Sequence, residues 1–205
     1  MWRYFIFAGL LSAAAANAEP LQQDNRHIRI WNQFAQNLLK LHRQRIRQQN
    51  VSKKTRSGGY AQMPDFYLEE SFYMGDRLIS KVQWEKQNPQ QLHTIEVYLH
   101  DSQGRVVRDY AAAYLPVYHN APTQTLITLH SYNKGLHAFR SFDASGYRIV
   151  ERCTGRLNGR EVNLLLDEDE IDAALGDPRG VMATQEYRQC FGDLPQKAGK
   201  YLNPQ

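Results

Sequence analysis

The sequence predicts an α+β fold, with an N-terminal amphipathic helix packed on a curved antiparallel β-meander and a short C-terminal helix closing the chain. Three observations point to it. Apolar residues recur at helical spacing over residues 24–48, the period changes to two from Tyr60 to Leu166, and two turns of the same spelling sit inside the alternating region.

Before the helix comes a leader. Arg3 provides a positive start, Tyr4 to Leu11 an apolar run, and Ala16-Asn17-Ala18 a small-residue cleavage site, so residues 1–18 read as a signal peptide. The run is too short to span a bilayer, which takes about 20 apolar residues; a retained membrane anchor is the weaker reading. The expected mature chain, residues 19–205, is a single exported α+β domain, placed in a periplasm or secreted.

In the helix, Ile28, Trp31, Phe34, Leu38 and Leu41 form one stripe and Asp24 suits the N-cap. Lys40, Arg43, Arg45 and Arg47 cluster near the C-terminal end, where cations complement the dipole. Such a helix could lie on an anionic membrane or meet nucleic acid. The stripe favours packing on the sheet instead, and the only aromatics among the basic residues, Trp31 and Phe34, fall on it. Beyond the basic run and the Ser57-Gly58-Gly59 linker the chain carries more acid than base, so the net charge of +4 does not argue for nucleic acid.

The sheet is expected over residues 64–166 with seven or eight strands. Phe66, Leu68 and Phe72 alternate with polar partners, Met74-Gly75-Asp76 turns the chain, and Leu78, Val82 and Trp84 follow before Asn88-Pro89 breaks the strand. Strands are then expected near 92–100, 105–115, 124–132, 136–142 and 147–154. Asn158-Gly159 turns into Glu161–Leu166, and Pro116 and Pro122 bracket an irregular stretch.

The two matching turns are Asp101-Ser102-Gln103-Gly104 and Asp143-Ala144-Ser145-Gly146. Asp first and Gly fourth spell a type I turn closing into a G1 bulge. Asp101 opposite Arg105 sets Leu99 against Val107 and Val97 against Asp109, with Tyr98 beside Arg108 and Glu96 beside Tyr110 on the other face. The same rule sets Phe139 against Glu151, Ser141 against Ile149 and His137 against Cys153. Shared turn chemistry without a third copy does not make an internal repeat.

Cys153 and Cys190 are the only cysteines, and in an oxidising compartment they are expected to pair. A catalytic Cys–His pair with His137 is the sharper alternative but lacks a third member. The acidic run Asp167–Asp172 lacks the turn glycine of a calcium loop and is expected to begin a helix. A last helix is expected over residues 181–191, with a loose tail after Gly192.

No phosphate loop, nucleophile elbow, haem attachment or zinc spacing is present, and no cofactor is implied. His93, His100, His119, His130 and His137 lie in or beside the meander, where alternation works against their convergence on a metal. The candidate binding surface is a Tyr-rich sheet face. It comprises Tyr98, Tyr110 and Tyr114 with Arg108, and Tyr118, Tyr132 and His100 nearby, unless the N-terminal helix covers it. That face predicts a non-enzymatic envelope protein holding a lipid, peptide or protein partner. A small hydrolase or nuclease using His100 or His130 with Arg108 is the alternative, and a structural or inhibitory partner docking through the basic helix is a third. At the level of architecture a helix followed by a meander resembles the half-barrel lipoprotein carriers and related envelope sensors. Glu151-Arg152 and Leu157-Asn158-Gly159-Arg160-Glu161-Val162 are similar to a hairpin of the sensors, and the resemblance assigns no family.

Overall fold

Among the described residues, nine antiparallel strands follow one another in sequence order across one sheet. The computed structural model describes residues 26–116 and 119–205, so the leader, the Asp24 cap and Tyr118 lie outside the described residues. Helix α1 (Arg26–Ile46) leads into β1 (Val51–Tyr60), β2 (Met63–Met74), β3 (Arg77–Glu85), β4 (Asn88–His100) and β5 (Val106–Ala113). After the irregular stretch come β6 (Gln124–Asn133), β7 (Leu136–Phe142), β8 (Arg148–Leu157) and β9 (Arg160–Leu166). Helices α2 (Glu168–Leu175) and α3 (Gln185–Phe191) complete the order, with 3-10 turns at Val181–Ala183 and Gly199–Leu202.

The count exceeds the expected seven or eight because Val51–Tyr60, read as a basic run and linker, is a strand. It is almost wholly exposed and pairs with β2 from Val51↔Met74 to Tyr60↔Met63. Backbone pairing at the first position in the strand order needs no apolar alternation, and Lys53, Lys54 and Arg56 discourage further pairing. Asn88-Pro89 opens β4 rather than breaking the chain, since the hairpin closes at Glu85↔Asn88 and proline is tolerated at a strand start.

One face of the sheet carries the dry core. Register aligns Val97, Tyr110, Ile127 and Phe142 in one row and Val82, Ile95 and Ala112 in the next. These residues share a core cluster with Phe34, Ala35, Leu38 and Leu41 of α1, Ile171 of α2, and Tyr187, Cys190 and Phe191 of α3. Five of the six α1 stripe and cap positions named from the sequence are described, and Phe34, Leu38 and Leu41 are the buried ones. The acidic run begins α2 through a capping box, with Asp167 accepting from the Glu170 amide and Glu170 accepting from the Asp167 amide.

The end of the chain is fastened rather than loose. Cys153 and Cys190 form a disulfide, so β8 is tied to α3. Arg140 and Glu151, directly opposed in register and both fully buried, form an ion pair on the core face. Arg140 donates to the carbonyls of Leu194 (2.9 Å) and Pro195 (2.8 Å), and the Tyr187 hydroxyl donates to Glu151 at 2.7 Å. Leu194 and Ala198 are buried in the core cluster. The guanidinium satisfies the buried Leu194 carbonyl, which would otherwise be unpaired, and the half-buried carbonyl of Pro195.

Candidate functional site

The two Asp-x-x-Gly turns close as their spelling predicts. Asp101 accepts from the amides of Gln103 and Arg105, Gly104 takes φ +83°, and the Asp101 amide donates to the Arg105 carbonyl at 2.9 Å. The first pair beyond the turn, His100↔Val106, is the one expected. The next is Leu99↔Arg108, so Val107 is an extra residue and every later pair shifts by one. The second turn repeats this: Phe142↔Arg148 is followed by Ser141↔Val150, with Ile149 extra.

The extra residue Val107 redistributes the expected Tyr-rich face, since a one-residue slip moves side chains to the opposite surface. Tyr98 pairs with Asp109, not beside Arg108, and Val97 pairs with Tyr110. Tyr110 and Arg108 therefore lie on the core face and Tyr98 on the other. Tyr110 is buried against Phe34 of α1, ring centroids 6.1 Å apart, and Arg108 lies between the rings of Tyr110 (5.5 Å) and Tyr201 (4.9 Å). Tyr114 packs against the core cluster. His100 stands at the end of β4, where burial and then the charges of Arg77 and Arg45 lower its pKa. In β7 and β8, His137 pairs with Thr154 and Ala138 with Cys153, so no Cys–His pair exists.

The second face holds a different site. Register places Lys81, Glu96 and Ala111 in one row, Tyr98, Asp109, Thr128 and Ser141 in another, and His130 with Phe139 in a third. The buried side chains of the three α-helices join the opposite core, yet these residues are half-buried or buried. They are also joined to one another. Lys81 pairs with Glu96 at 2.8 Å, and the Tyr98 hydroxyl donates to the same carboxylate. Burial first, then this contact with Glu96, raises the Tyr98 pKa and keeps the phenol a donor. Arg56 and Gln83 donate to Glu69 at 2.7 and 2.8 Å. Burial pushes the Glu69 carboxyl up, but those two donors and the Arg56 charge outweigh it and hold its pKa below the usual value.

Towards β7 the network becomes an array of rings. Asp109 Oδ1 lies 2.7 Å from His130 Nε2, and His130 Nδ1 lies 3.0 Å from His137 Nε2. Tyr132 stacks on His137 with centroids 4.5 Å apart and planes 1° from parallel, and donates its hydroxyl to the Val106 carbonyl at 3.0 Å. Arg105 covers the Tyr132 ring at 4.7 Å while pairing with Asp101. Burial, then the neighbouring His130, lowers the His137 pKa. Two hollows adjoin this face. One of about 540 Å³ is lined by Arg105, Tyr132, Lys134 and His137, and one of about 470 Å³ by Lys54, Arg56, Glu69 and Lys81.

Of the residues singled out from sequence, the structure thus groups Tyr98 and Tyr132 with His130 and His137, and separates them from Arg108, Tyr110 and Tyr114. No hydrogen bond among the described residues joins His100 to His130. Asp109 was missed as a site residue, and His137 was expected only beside Cys153. Asn133-Lys134-Gly135, a turn sequence between two histidine-bearing strands, was the available signal. A further group, buried Glu85 and His93 with His119 3.3 Å from Glu85, gathers near the irregular stretch. Among the described residues no set of three or more His, Cys, Asp or Glu side chains is arranged to hold a metal ion. Among them, too, no helix is long and apolar enough to cross a membrane. No family model, curated protein or solved structure matches the chain.

Proposed function

We propose that the chain is an exported, non-enzymatic binding protein of the cell envelope that holds a peptide or protein segment on the second face of its sheet. The observation that carries this reading is the joined set of polar and aromatic side chains on that face, half-buried although the helices pack elsewhere. Lys81–Glu96, Tyr98–Glu96 and Asp109–His130 hold their side chains in place before any ligand arrives, which lowers the entropy lost on binding. The same pairs argue for a peptide over a lipid, because a lipid seat needs apolar walls and gains nothing from desolvating these polar pairs. In this reading the molecule is a single α+β domain whose sheet curves around that face, with α1 packed behind it. The leader features support export to a periplasm or beyond, and a disulfide of this kind persists in oxidising compartments.

A hydrolase is the second reading, and Asp109–His130 is the observation that favours it, because a carboxylate orienting an imidazole is half of an acid–base site. It would use His130 with Asp109 and dispense with His100 and Arg108. Mass spectrometry of material co-purifying from the native compartment separates the readings. Peptide retained by the natural chain and lost from Tyr98→Ala/Tyr132→Ala supports binding. Lipid, or peptide retained equally by the double variant, overturns it.

A further inference from the structure

The Asp109–His130–His137 chain ends in the hollow beside the β6–β7 turn, lined by Arg105, Tyr132, Lys134, His137, Thr154 and Gly155. An ionised carboxylate can only accept a hydrogen bond, so with Asp109 charged the His130 Nε2 must donate. In the neutral imidazole pair His130 Nδ1 is then the acceptor and His137 Nε2 the donor. That ordering leaves His137 Nδ1 with a lone pair and no hydrogen. One added proton changes this wherever it enters. If His130 becomes doubly protonated, its bond to His137 reverses and the hydrogen of His137 moves to Nδ1; if His137 takes the proton, Nδ1 is where it sits. A single proton therefore converts one wall of the hollow from an acceptor into a donor and places a positive charge on the imidazole pair.

The groups around His137 make that proton decisive. Arg105 is already paired with Asp101, through Nε at 2.8 Å and a terminal nitrogen at 2.7 Å, so most of its charge is spoken for. Asp109 from β5 offsets Lys134 from the turn. His130 and Tyr132 come from β6, and β8 contributes Thr154, directly opposite His137, and Arg152 one row away. Of these charges only Arg152 lacks an offsetting carboxylate, and it is exposed and a row away. Protonation of the imidazole pair is therefore the nearest source of positive charge for an anion in the hollow.

We propose that the hollow is a proton-gated seat for an oxyanion, the carboxylate of an acidic side chain or C-terminus of the bound peptide, captured as the His130–His137 pair gains a proton and released as it loses one. The proposal rests on the peptide-binding reading above. The lowered pKa of His137, set by burial and then by His130, accords with a neutral imidazole at that wall of the hollow. Binding and protonation are linked, so the anion must raise the affinity of the pair for its proton by the factor that the proton raises affinity for the anion.

Sulfate is a suitable probe because its charge is constant over the pH range in which imidazoles titrate. Calorimetry of the full chain with sulfate, in two buffers of unlike ionisation enthalpy, should show uptake approaching one proton per anion near neutral pH. Affinity should fall towards tenfold per pH unit on the alkaline side of the pair's titration. His137→Gln should bind weakly and without pH dependence, and His42→Gln, on α1 against the opposite face of the sheet, should match the natural chain. Imidazole 15N spectra at alkaline pH should show His137 protonated at Nε2 and bare at Nδ1, a readout that needs no variant to fold. A short peptide rich in Asp and Glu should show the same pH slope as sulfate. Absent binding, pH-independent binding, unaltered binding by His137→Gln, or the opposite His137 tautomer overturns the proposal, and capture only by phosphatidylglycerol vesicles overturns its peptide assignment. Peptide co-purification without proton uptake removes this inference and leaves the binding reading standing; proton-linked sulfate binding with nothing co-purifying does the reverse.

Discussion

Replacing Glu151 by Ala should be among the most destabilising single changes in the chain, and the structure gives the size. Glu151 and Arg140 have no exposed surface, and their ion pair is supplemented by the Tyr187 hydroxyl. Removing the carboxylate strands a guanidinium in the core, for which breaking a buried pair typically costs about 3–5 kcal/mol. Arg140 is also the donor to the Leu194 and Pro195 carbonyls, so Arg140→Met leaves the buried Leu194 acceptor unpaired, at about 1–3 kcal/mol, and the half-buried Pro195 acceptor with less to lose. The double variant Arg140→Met/Glu151→Leu removes both charges together, so its loss should fall short of the sum of the singles by about 2 kcal/mol or more. Urea unfolding with the disulfide intact measures this through midpoints at constant slope. Additive single losses, or a Glu151→Ala loss under about 1 kcal/mol, would refute the account of the buried pair.

Other changes have definite expected outcomes. Cys153→Ala/Cys190→Ala opens a loop of sequence separation 37 and should cost about 4 kcal/mol by the chain-entropy relation, read from the same denaturation curves. Gly155 has φ +137°, and a Cβ there would lie 2.2 Å from the Gly135 carbonyl oxygen, so Gly155→Ala should lose about 1–3 kcal/mol and disturb the β7–β8 pairing by amide exchange. Burial, only partly offset by Glu70, lowers the pKa of His42 from 6.5 to about 4. The folded value lies below the unfolded one, so the stability of neutral His42 is complete above about pH 6.5 and is lost as pH falls towards 4. His42→Gln, which can still reach the Ser80 hydroxyl, should flatten stability over that window in melts at stepped pH.

What could be read from the residues was whatever is spelled locally. The α1 stripe, the Asn158-Gly159 hairpin, the acidic start of α2 and the Asp-x-x-Gly corners each follow from spacing or from a backbone dihedral that few residues accept. The corners predicted their own closing pairs and nothing further, because the extra residues Val107 and Ile149 leave no mark in composition. That single omission moved Tyr110 and Arg108 to the face opposite Tyr98 and hid the meeting of Asp109 with His130. The tail after Gly192 was illegible for a different reason. Its carbonyls are satisfied by Arg140, whose Leu194 acceptor lies 54 positions along the chain, and Pro- and Lys-bearing sequence carries no sign of a donor supplied from so far away.

Hydroxyl-radical footprinting of protein taken from its native compartment, before and after bound material is stripped, asks which face is occupied. Tyr98, Tyr132, His137 and Phe139 should become more reactive on stripping, while Trp31 and the exposed side of α1 stay unchanged. Equal reactivity at those four residues, or protection confined to α1, would contradict the assignment of the ligand to the second face of the sheet.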